Sequence, residues 1–337
     1  MGGFVVVTLL LAVVAFLVVR DLTASWTGIG LNPFQPPSGL PGQATVPAGS
    51  SPTAPPPILN PPEWQGAERV NVLLMGLDYR DWIAGEGPPR TDSMMLVSLD
   101  PLTKHAGMMY IPRDLWVEIP GFGYNRINTA YPSGEGNRLP GGGPALAIRA
   151  VESVVGIPIQ YYAVIDFTVF ERLIDEIGGV DVLVTERIKI CPIGRTCFWL
   201  EAKAYRLNGA NALAYARVRK GAGDDFGRGQ RQQQVAMAVL DRVTGLNMVP
   251  TLLAKAPALY QEMASAVRTN LNFDQIVSLG WLAVQTPRAN FERGVIAPPN
   301  MVGFATRPDG AQVLRPVPDQ IRVLRDAVFV QNNGIGP

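Results

Sequence analysis

The chain has 337 residues, 47% of them hydrophobic, and its 29 Lys and Arg residues against 28 Asp and Glu give a formal net charge of +1. That length is enough for one large domain or two smaller ones. The near-neutral charge, with no helix-turn-helix or RNA-binding signature, gives no support for nucleic-acid binding.

The amino-terminal residues resemble a membrane anchor. Residues 3–19 carry no charge, and at about 17 residues they are just long enough to cross a thin hydrocarbon core. We interpret residues 1–20 as one transmembrane helix. A cleaved signal peptide is the alternative, but no small-x-small cleavage site follows and no Lys or Arg precedes the apolar run. The positive-inside rule does not support an extracellular carboxyl-terminal domain, because the only cation near the span, Arg20, follows it. The linker and the cysteines favour that orientation.

Residues 21–66 are rich in Pro, Gly, Ser, Thr and Ala, with three consecutive prolines at Pro55, Pro56 and Pro57. Such a segment buries too little apolar surface to offset its ordering entropy. We predict an extended linker that spaces residues 67–337 from the bilayer, at roughly 3 Å per residue where it is polyproline-like.

Three apolar runs, Val70–Leu77, Met94–Leu99 and His105–Ile111, are too short for ordinary helices and predict buried strands. Charged residues gather where these strands begin or end, and ligands of α/β sheets bind at strand ends. Carboxylates and guanidiniums collected there suggest a site for a metal and a phosphate. These residues are Asp78, Arg80, Arg90, Asp92, Arg113 and Asp114.

Strands and helices then alternate, which predicts a layered α/β domain. The glycines Gly141–Gly143 precede an amphipathic helix, and we favour a plain turn over a phosphate cradle because no Lys-Ser/Thr pair follows. Pro158–Ile165 predicts a strand, and Asp166 predicts the N-cap of a helix that ends at Gly178-Gly179.

The only two cysteines, Cys191 and Cys197, are six positions apart. In an extracellular domain this spacing favours a disulfide that closes a small loop. A zinc site is the alternative, but it needs two more ligands nearby, and the single histidine, His105, lies far away in sequence.

A second charged cluster lies between Leu207 and Gln234. Asn208 opens a short helix, after which Arg217 and Arg219 point the same way if the chain is extended there. A long helix follows, capped by Asp224 or Asp225, and the N-terminus of a helix attracts phosphate. Its first turns carry Arg228, Arg231 and Gln232. A solvated basic face paired with the two aspartates is the alternative.

The remaining chain predicts elements that close the same domain, because no linker precedes them. They include helices around residues 252–263 and 276–283, a strand at Gly294–Ala297 and the segment Gln320–Val330. The helices cover the sheet or line an apolar tunnel for a polyprenyl chain.

Several ordered motifs together resemble those of the LytR-CpsA-Psr family of cell-wall ligases. They are LLMGLDYR (Leu73 to Arg80), PRTDSMMLVSLDP (Pro89 to Pro101), IPRD (Ile111 to Asp114), RINTAY (ending at Tyr131), GGVDV (Gly178 to Val182) and the arginine cluster up to Gln234. The resemblance implies a three-layer α/β/α sandwich around a mixed sheet, with core motifs in residues 70–243. It also implies a single-pass protein of the cell membrane whose extracellular domain transfers a glycopolymer from a polyprenyl (undecaprenyl) pyrophosphate carrier to peptidoglycan.

The resemblance also assigns roles to residues. Asp78 and Asp92 are expected to hold Mg²⁺ or Mn²⁺, and the catalytic set is expected to be Asp78, Asp92, Arg113 and Asp225. Asp92 and Arg113 are in addition candidates to pair with each other. The pyrophosphate is expected to bind Arg80, Arg90, Arg113, Arg217, Arg219, Arg228 and Gln232.

Two other functions use the same residues. A pyrophosphatase would hydrolyse polyprenyl diphosphates without an acceptor, and a non-catalytic receptor or envelope attenuator would bind the lipid diphosphate without the metal. The general base is not identifiable from the sequence, and an aspartate near the metal is the first candidate.

Overall fold

A computed structural model describes residues 63–77, 88–219, 225–245 and 267–329. A six-stranded sheet with the strand order β11-β6-β1-β2-β3-β12 forms its centre. The strands are β1 (Val70–Leu77), β2 (Thr91–Asp100), β3 (His105–Ile111), β6 (Tyr161–Ile165), β11 (Val267–Thr269) and β12 (Phe291–Val295).

The central sheet is mixed. β2 runs antiparallel to both β1 and β3, whereas β6 pairs with β1 and β12 pairs with β3 in parallel. The three strands predicted from the first apolar runs are therefore confirmed as neighbours. The carboxyl ends of β1 and β3 and the start of β2 meet at one edge of the sheet.

Strand residues alternate between two apolar cores, because successive side chains of a strand point to opposite faces. Val72 and Leu74 belong to one core, and Leu73 and Met75 belong to the other. Helices cover both faces, so the predicted three-layer α/β/α arrangement is confirmed. They are α1 (Ala130–Gly136), α2 (Gly142–Val155), α3 (Phe167–Glu176), α4 (Gly209–Arg217), α5 (Asp225–Gly245), α6 (Phe273–Gln285) and α7 (Pro318–Phe329).

Helix starts follow the predicted caps. The side chain of Asp166 accepts a hydrogen bond from the amide of Val169 at the start of α3. The side chain of Asn208 does the same for Asn211 at the start of α4. Each cap satisfies an amide that the first turn of a helix leaves unpaired. The long predicted helix begins at Asp225.

Smaller two-stranded sheets surround the central one, and most of them were not predicted. They are β4 (Trp116–Ile119) with β5 (Gly123–Arg126), β7 (Val180–Leu183) with β10 (Ala204–Leu207), β8 (Ile188–Ile190) with β9 (Phe198–Leu200), and β13 (Val302–Thr306) with β14 (Gln312–Pro316). A disulfide joins Cys191 to Cys197 in the loop between β8 and β9.

One element prediction needs correction. The strand expected at 294–297 begins earlier, at Phe291, because its pairing with β3 starts there. The closing segment predicted after Gln320 forms most of α7, whose residues Ile321, Val328 and Phe329 are buried in the core. Residues 1–20, the linker up to residue 62, and the helix predicted around 252–263 lie outside the described residues. Within the ranges given above, no helix is both long and apolar enough to span a bilayer.

Candidate active site

Four of the predicted charged residues meet at one edge of the central sheet. Asp92 is the second residue of β2, Arg113 follows the end of β3, and Asp225 and Arg228 lie in the first turn of α5. Helix α5 packs over β3, which brings residues that are more than a hundred positions apart into one cluster.

A buried network holds the first turn of α5 in place. The hydroxyl of Tyr110 donates a hydrogen bond of 2.9 Å to Oδ2 of Asp225 and accepts one of 3.0 Å from Nη2 of Arg228. The same guanidinium lies 2.6 Å from Oδ1 of Asp225, and both charged side chains are at most 3% exposed. Burial raises the pKa of Tyr110 above its ordinary value, so the phenol remains a donor at neutral pH.

Asp92 is held twice. Nη2 of Arg228 donates a hydrogen bond of 2.8 Å to its main-chain oxygen, and Nη1 of Arg113 lies 2.7 Å from its Oδ1. The pairing of Asp92 with Arg113 considered from the sequence is therefore confirmed. Burial, the largest single effect, opposes ionisation of Asp92, but the charges of Arg113 and Arg228 and the hydrogen bond from Arg113 contribute to a combined opposite effect that holds the pKa of Asp92 below its usual value. Asp92 is a carboxylate at neutral pH.

A glycine allows Tyr110 to reach this network. A Cβ atom at Gly229 would lie 2.5 Å from the Tyr110 ring, closer than side-chain atoms approach. The ring therefore packs directly on the backbone of α5. This contact fixes the position of the Tyr110 hydroxyl relative to Asp225 and Arg228.

Gln232 lies one turn further along α5 and joins it to β2. Its Oε1 accepts a hydrogen bond of 2.5 Å from the hydroxyl of Ser93, and its Nε2 donates a weaker one of 3.4 Å to the carbonyl of Ala216. Gln232 is fully buried. It connects the start of β2 with the end of α4.

A cleft of about 390 Å³, which we name the arginine cleft, opens beside this cluster. Three guanidiniums line it, and a phenylalanine pair with ring centroids 6.4 Å apart adds an apolar wall. Arginine binds phosphoryl oxygens in a bidentate manner, and the apolar wall suits a group attached to the phosphate. The lining residues are Arg113, Asp114, Arg126, Arg219, Asp225, Phe226, Phe304, Gln312, Val313 and Leu314.

Residues 50–297 match the sequence profile of the LytR_cpsA_psr family. The chain belongs to the LytR-CpsA-Psr family.

Curated relatives of this family member carry two kinds of name. It is 36% identical over 214 residues to the regulatory protein MsrR of Staphylococcus aureus (strain COL), covering 63% of this chain and 59% of MsrR. It is 33% identical over 221 residues to TagT of Bacillus subtilis (strain 168), a polyisoprenyl-teichoic acid–peptidoglycan teichoic acid transferase, with 64% of each chain covered. The match spans less than two thirds of either relative.

The fold is that of solved family members. The crystal structure of TagV from B. subtilis superposes with a TM-score of 0.63 at 27% identity, covering 79% of this chain and 99% of TagV. The α/β architecture with its mixed central sheet is therefore shared with the family.

In this LytR-CpsA-Psr protein, Arg217 and Arg219, which we predicted to act together, have different surroundings. Arg219 lines the arginine cleft, whereas the guanidinium of Arg217 lies over the ring of Phe167, 4.9 Å from its centroid. Arg217 is the last residue of α4, and the chain turns to an extended conformation at Val218. The chain is therefore not extended through both residues, which was the condition under which the two guanidiniums were predicted to point the same way.

The other predicted residues are placed as follows. Arg90 is exposed just before β2. Asp78, Arg80 and Asp224 lie outside the described residues. Of the Gly-rich stretch, Gly141 caps α2, and Gly142 and Gly143 are its first residues. The amide of Gly143 donates a hydrogen bond of 2.8 Å to the carboxylate of Glu135, which disfavours a phosphate cradle there.

Several residues of the site were not predicted from the sequence. Tyr110 resembled an ordinary aromatic residue of a buried strand. Phe304 and Gln312 belong to the unpredicted β13–β14 hairpin. Arg126 opens the RINTAY motif, which was the available signal, and its guanidinium donates to the carbonyl of Gln312 at 2.8 Å.

The donor set fits a hard cation in part. Asp92 is an ionised carboxylate paired with Arg113, which lines the cleft, and a carboxylate is a type of ligand that Mg²⁺ binds. The oxygens of Asp225 are engaged by Tyr110 and Arg228, which disfavours Asp225 as a ligand. Within the described part of the chain, no three His, Cys, Asp or Glu residues cluster closely enough to hold an ion. A metal would need Asp92, Asp78 and the substrate's own phosphate oxygens.

A second cavity, of about 770 Å³, lies on another face of the first turns of α5. Its walls include β12 and the segment between β7 and β8. The residues from these walls and from α5 include Thr185, Glu186, Ile188, Gly227, Gln230, Arg231, Phe291 and Glu292.

Proposed function

We propose that this protein transfers a glycosyl phosphate from a polyprenyl pyrophosphate carrier to a hydroxyl of peptidoglycan or another cell-envelope acceptor. The observation that carries the proposal is the convergence of Arg113, Arg126 and Arg219 on one cleft beside the paired Asp92. A diphosphate has two to three negative charges, and three guanidiniums match them. The name of TagT supports the same donor and acceptor classes.

In this reaction the acceptor oxygen attacks the phosphorus atom that bears the glycan. The bond from that phosphorus to the oxygen of the lipid phosphate breaks, polyprenyl phosphate leaves, and the hydroxyl proton passes to a base. Such a transition state is loose, so it requires positioning and charge neutralisation more than covalent help. Arg113 and Arg219 would bind the phosphoryl oxygens, with Arg126 behind them.

Arg228 takes a different part from the one expected. Because its guanidinium is buried and engaged by Asp225, Tyr110 and the carbonyl of Asp92, it positions the site more than it contacts the substrate. Arg80 and Arg90 remain proposed phosphate ligands, and Gln232 is a proposed positioning residue.

Asp92, with Asp78, would hold Mg²⁺ or Mn²⁺ on the diphosphate. A bound ion would neutralise charge that develops on the leaving phosphate. Asp92 would also orient Arg113, whose pKa it raises above the usual value against the effect of burial. We further propose that residues 1–20 anchor the protein in the cell membrane by a single span, with the catalytic domain outside the cell.

The test uses the full chain in vesicles with a polyprenyl-diphosphate-linked glycan and peptidoglycan oligomers. We expect mass spectrometry to detect the glycan joined to the oligomers through a phosphodiester, in step with release of polyprenyl phosphate. Release of lipid phosphate without any transfer would instead indicate a pyrophosphatase.

A second candidate is a lipid-diphosphate receptor without catalytic activity, which the name of MsrR, a regulatory protein, favours. It requires the arginines but not the metal. Binding that is unaffected by EDTA and by Asp78→Ala, together with no turnover in the vesicle assay, would support it.

A further inference from the structure

The hairpin of residues 188–200 stands on the surface of the domain, and we name it the disulfide hairpin. It consists of β8, β9 and the loop that the Cys191–Cys197 disulfide closes. One side is fixed to the domain, because Ile188, Ile190 and Leu200 are buried in the core. The hairpin is therefore held in a defined orientation.

Its other side and its tip expose an aromatic and an aliphatic group. Ile193 is 36% exposed, and Trp199, on the outward side, is 50% exposed. Phe198 lies opposite Ile190 on the side that faces the domain and is still 40% exposed. Ile193 lies at the tip, where Gly194 adopts a positive φ of 69° to close the turn. A tight turn with an aliphatic side chain at its apex projects that side chain away from the core.

Two cations adjoin the exposed tryptophan. Lys189 lies directly opposite Trp199 in the β8–β9 register. The guanidinium of Arg187 lies over the indole ring at 4.4 Å from its centroid, and it also pairs with Glu201 at 3.0 Å. Arg195 is exposed beside Ile193.

We propose that the disulfide hairpin docks the domain on an anionic lipid bilayer. Trp side chains favour the boundary between acyl chains and headgroups, and Lys and Arg are attracted to lipid phosphates. An aliphatic tip enters the acyl boundary, as in other interfacial segments. The combination of Trp199, Ile193 and Lys189 on one rigid projection matches that layered chemistry.

A second copy of the chain fits the surface less well. A stable interface between proteins buries about 800 Å² on each partner. The exposed apolar surface here comes from three side chains, with charges between them. A bilayer requires no such area, because several weak insertions and charge contacts add to a membrane anchor.

The contact rests on the proposed function in one respect, since a lipid-linked donor requires the domain to work at the bilayer. It adds a second attachment to the one proposed for residues 1–20. The base of the hairpin, at Ile188, also lines the larger cavity beside α5. Docking therefore fixes which face of the domain is turned toward the lipid.

The test is quenching of tryptophan fluorescence by brominated lipids. The full chain is placed in phosphatidylcholine–phosphatidylglycerol vesicles, with or without bromine on the acyl chains, and compared with Trp199→Phe. The difference between the two proteins isolates the emission of Trp199. We expect this emission to be lost in brominated vesicles and to be shifted to shorter wavelength in ordinary ones.

Trp116→Phe is the matched control. Trp116 is also covered by a guanidinium, that of Arg307 at 4.3 Å. It lies on β4, whose Val117 and Ile119 belong to the core on the other face of the central sheet from the hairpin. Its emission should be unaffected by bromine. Removal of phosphatidylglycerol, or the double change Lys189→Ala and Arg195→Ala, should weaken the quenching of Trp199.

Equal Trp199 emission in brominated and ordinary vesicles would overturn the proposal. So would emission that changes with protein density alone, which would indicate a second copy. Because the readout does not use turnover, a protein that transfers glycan with an unquenched Trp199 would refute the docking surface and leave the proposed function standing. A protein whose Trp199 is quenched but which transfers no glycan would support the docking surface and contradict the proposed function.

Discussion

The guanidinium of Arg228 donates a hydrogen bond of 2.8 Å to the main-chain oxygen of Asp92, a residue 136 positions earlier in the chain. This bond ties the first turn of α5 to the start of β2. Arg113 binds the side chain of the same aspartate. A change at Arg228 therefore affects the position of the Asp92 carboxylate through the main chain of Asp92. The buried network of Tyr110, Asp225 and Arg228 therefore helps to set the geometry of the cleft.

Arg228→Ala should be strongly destabilising. It leaves Asp225 buried without its cation and removes a donor to Tyr110, a change that costs about 3 to 5 kcal/mol in comparable buried pairs. Arg206→Ala is the matched control, because Arg206 forms a bidentate pair with Asp181 on the surface. Urea unfolding followed by circular dichroism measures both. Equal free energies of unfolding for the two variants would contradict a structural role for Arg228.

Gly229→Ala should move Tyr110 and weaken the site. The new methyl group would lie 2.5 Å from the ring, and overpacking of this kind costs about 1 to 3 kcal/mol. Gly245→Ala, at the other end of the same helix, meets nothing within 4 Å and should be neutral or slightly stabilising. Thermal melting and the vesicle assay compare the two variants. A melting temperature for Gly229→Ala at or above that of Gly245→Ala would show that the close contact is not tight.

Much of the framework could be predicted from local patterns. The run of β1 is apolar at its buried positions except for Asn71, and the buried positions of β3 carry no charged residue. Asp166 and Asn208 are polar residues directly before periodic apolar segments. Such signals depend on neighbouring residues only. The pairing between Asp92 and Arg113 could also be predicted, because the two residues lie at adjacent strand ends once β2 and β3 form a hairpin.

The composition of the cleft could not be predicted in this way. Phe304 and Gln312 reach it through the β13–β14 hairpin, whose exposed strands lack a clear alternation. The roles of Arg217 and Arg219 depend on where α4 ends, since the spacing of two residues has one meaning in a strand and another at a helix end. Tyr110 becomes part of the site only because Gly229 lets α5 approach it.

The Asp92–Arg113 pair should make the free energy of unfolding depend on pH in the acidic range. The folded pKa of Asp92 lies below its unfolded value, so its contribution is present above the unfolded pKa and is lost as the pH falls through the folded one. The wild-type protein should therefore lose more stability than Asp92→Asn between about pH 7 and about pH 3. Urea unfolding at a series of pH values gives the two curves. Parallel curves would mean that the pKa of Asp92 is the same in both states.

Arg219→Ala should weaken binding of a polyprenyl diphosphate more than Arg217→Ala does. A charge-assisted hydrogen bond contributes about 1.5 to 3 kcal/mol, which corresponds to a roughly ten- to hundredfold loss of affinity. Arg217 lies over Phe167, so its removal should act mainly on stability. Isothermal titration measures affinity, and a melting curve identifies variants that are merely less folded. If Arg217→Ala loses as much affinity as Arg219→Ala while remaining folded, Arg217 contacts the lipid.

The last prediction separates residues that hold the metal from residues that bind the diphosphate directly. If Asp92 and Asp78 serve Mg²⁺, then Asp92→Asn and Asp78→Asn should lower turnover and weaken its dependence on added Mg²⁺, with lipid affinity falling less. Arg113→Ala should do the opposite, because it removes a direct bond to the substrate and leaves both carboxylates in place.

The structure adds a complication, since Arg113 and Asp92 lie 2.7 Å apart and each orients the other. The double variant resolves it. If the two residues act only through their mutual pair, Asp92→Asn combined with Arg113→Ala should be no worse than either single change. If they have separate ligands, the losses of turnover and of affinity should add. Turnover of the wild-type protein that persists in EDTA would remove the metal from the mechanism and leave Asp92 with the orientation of Arg113 alone.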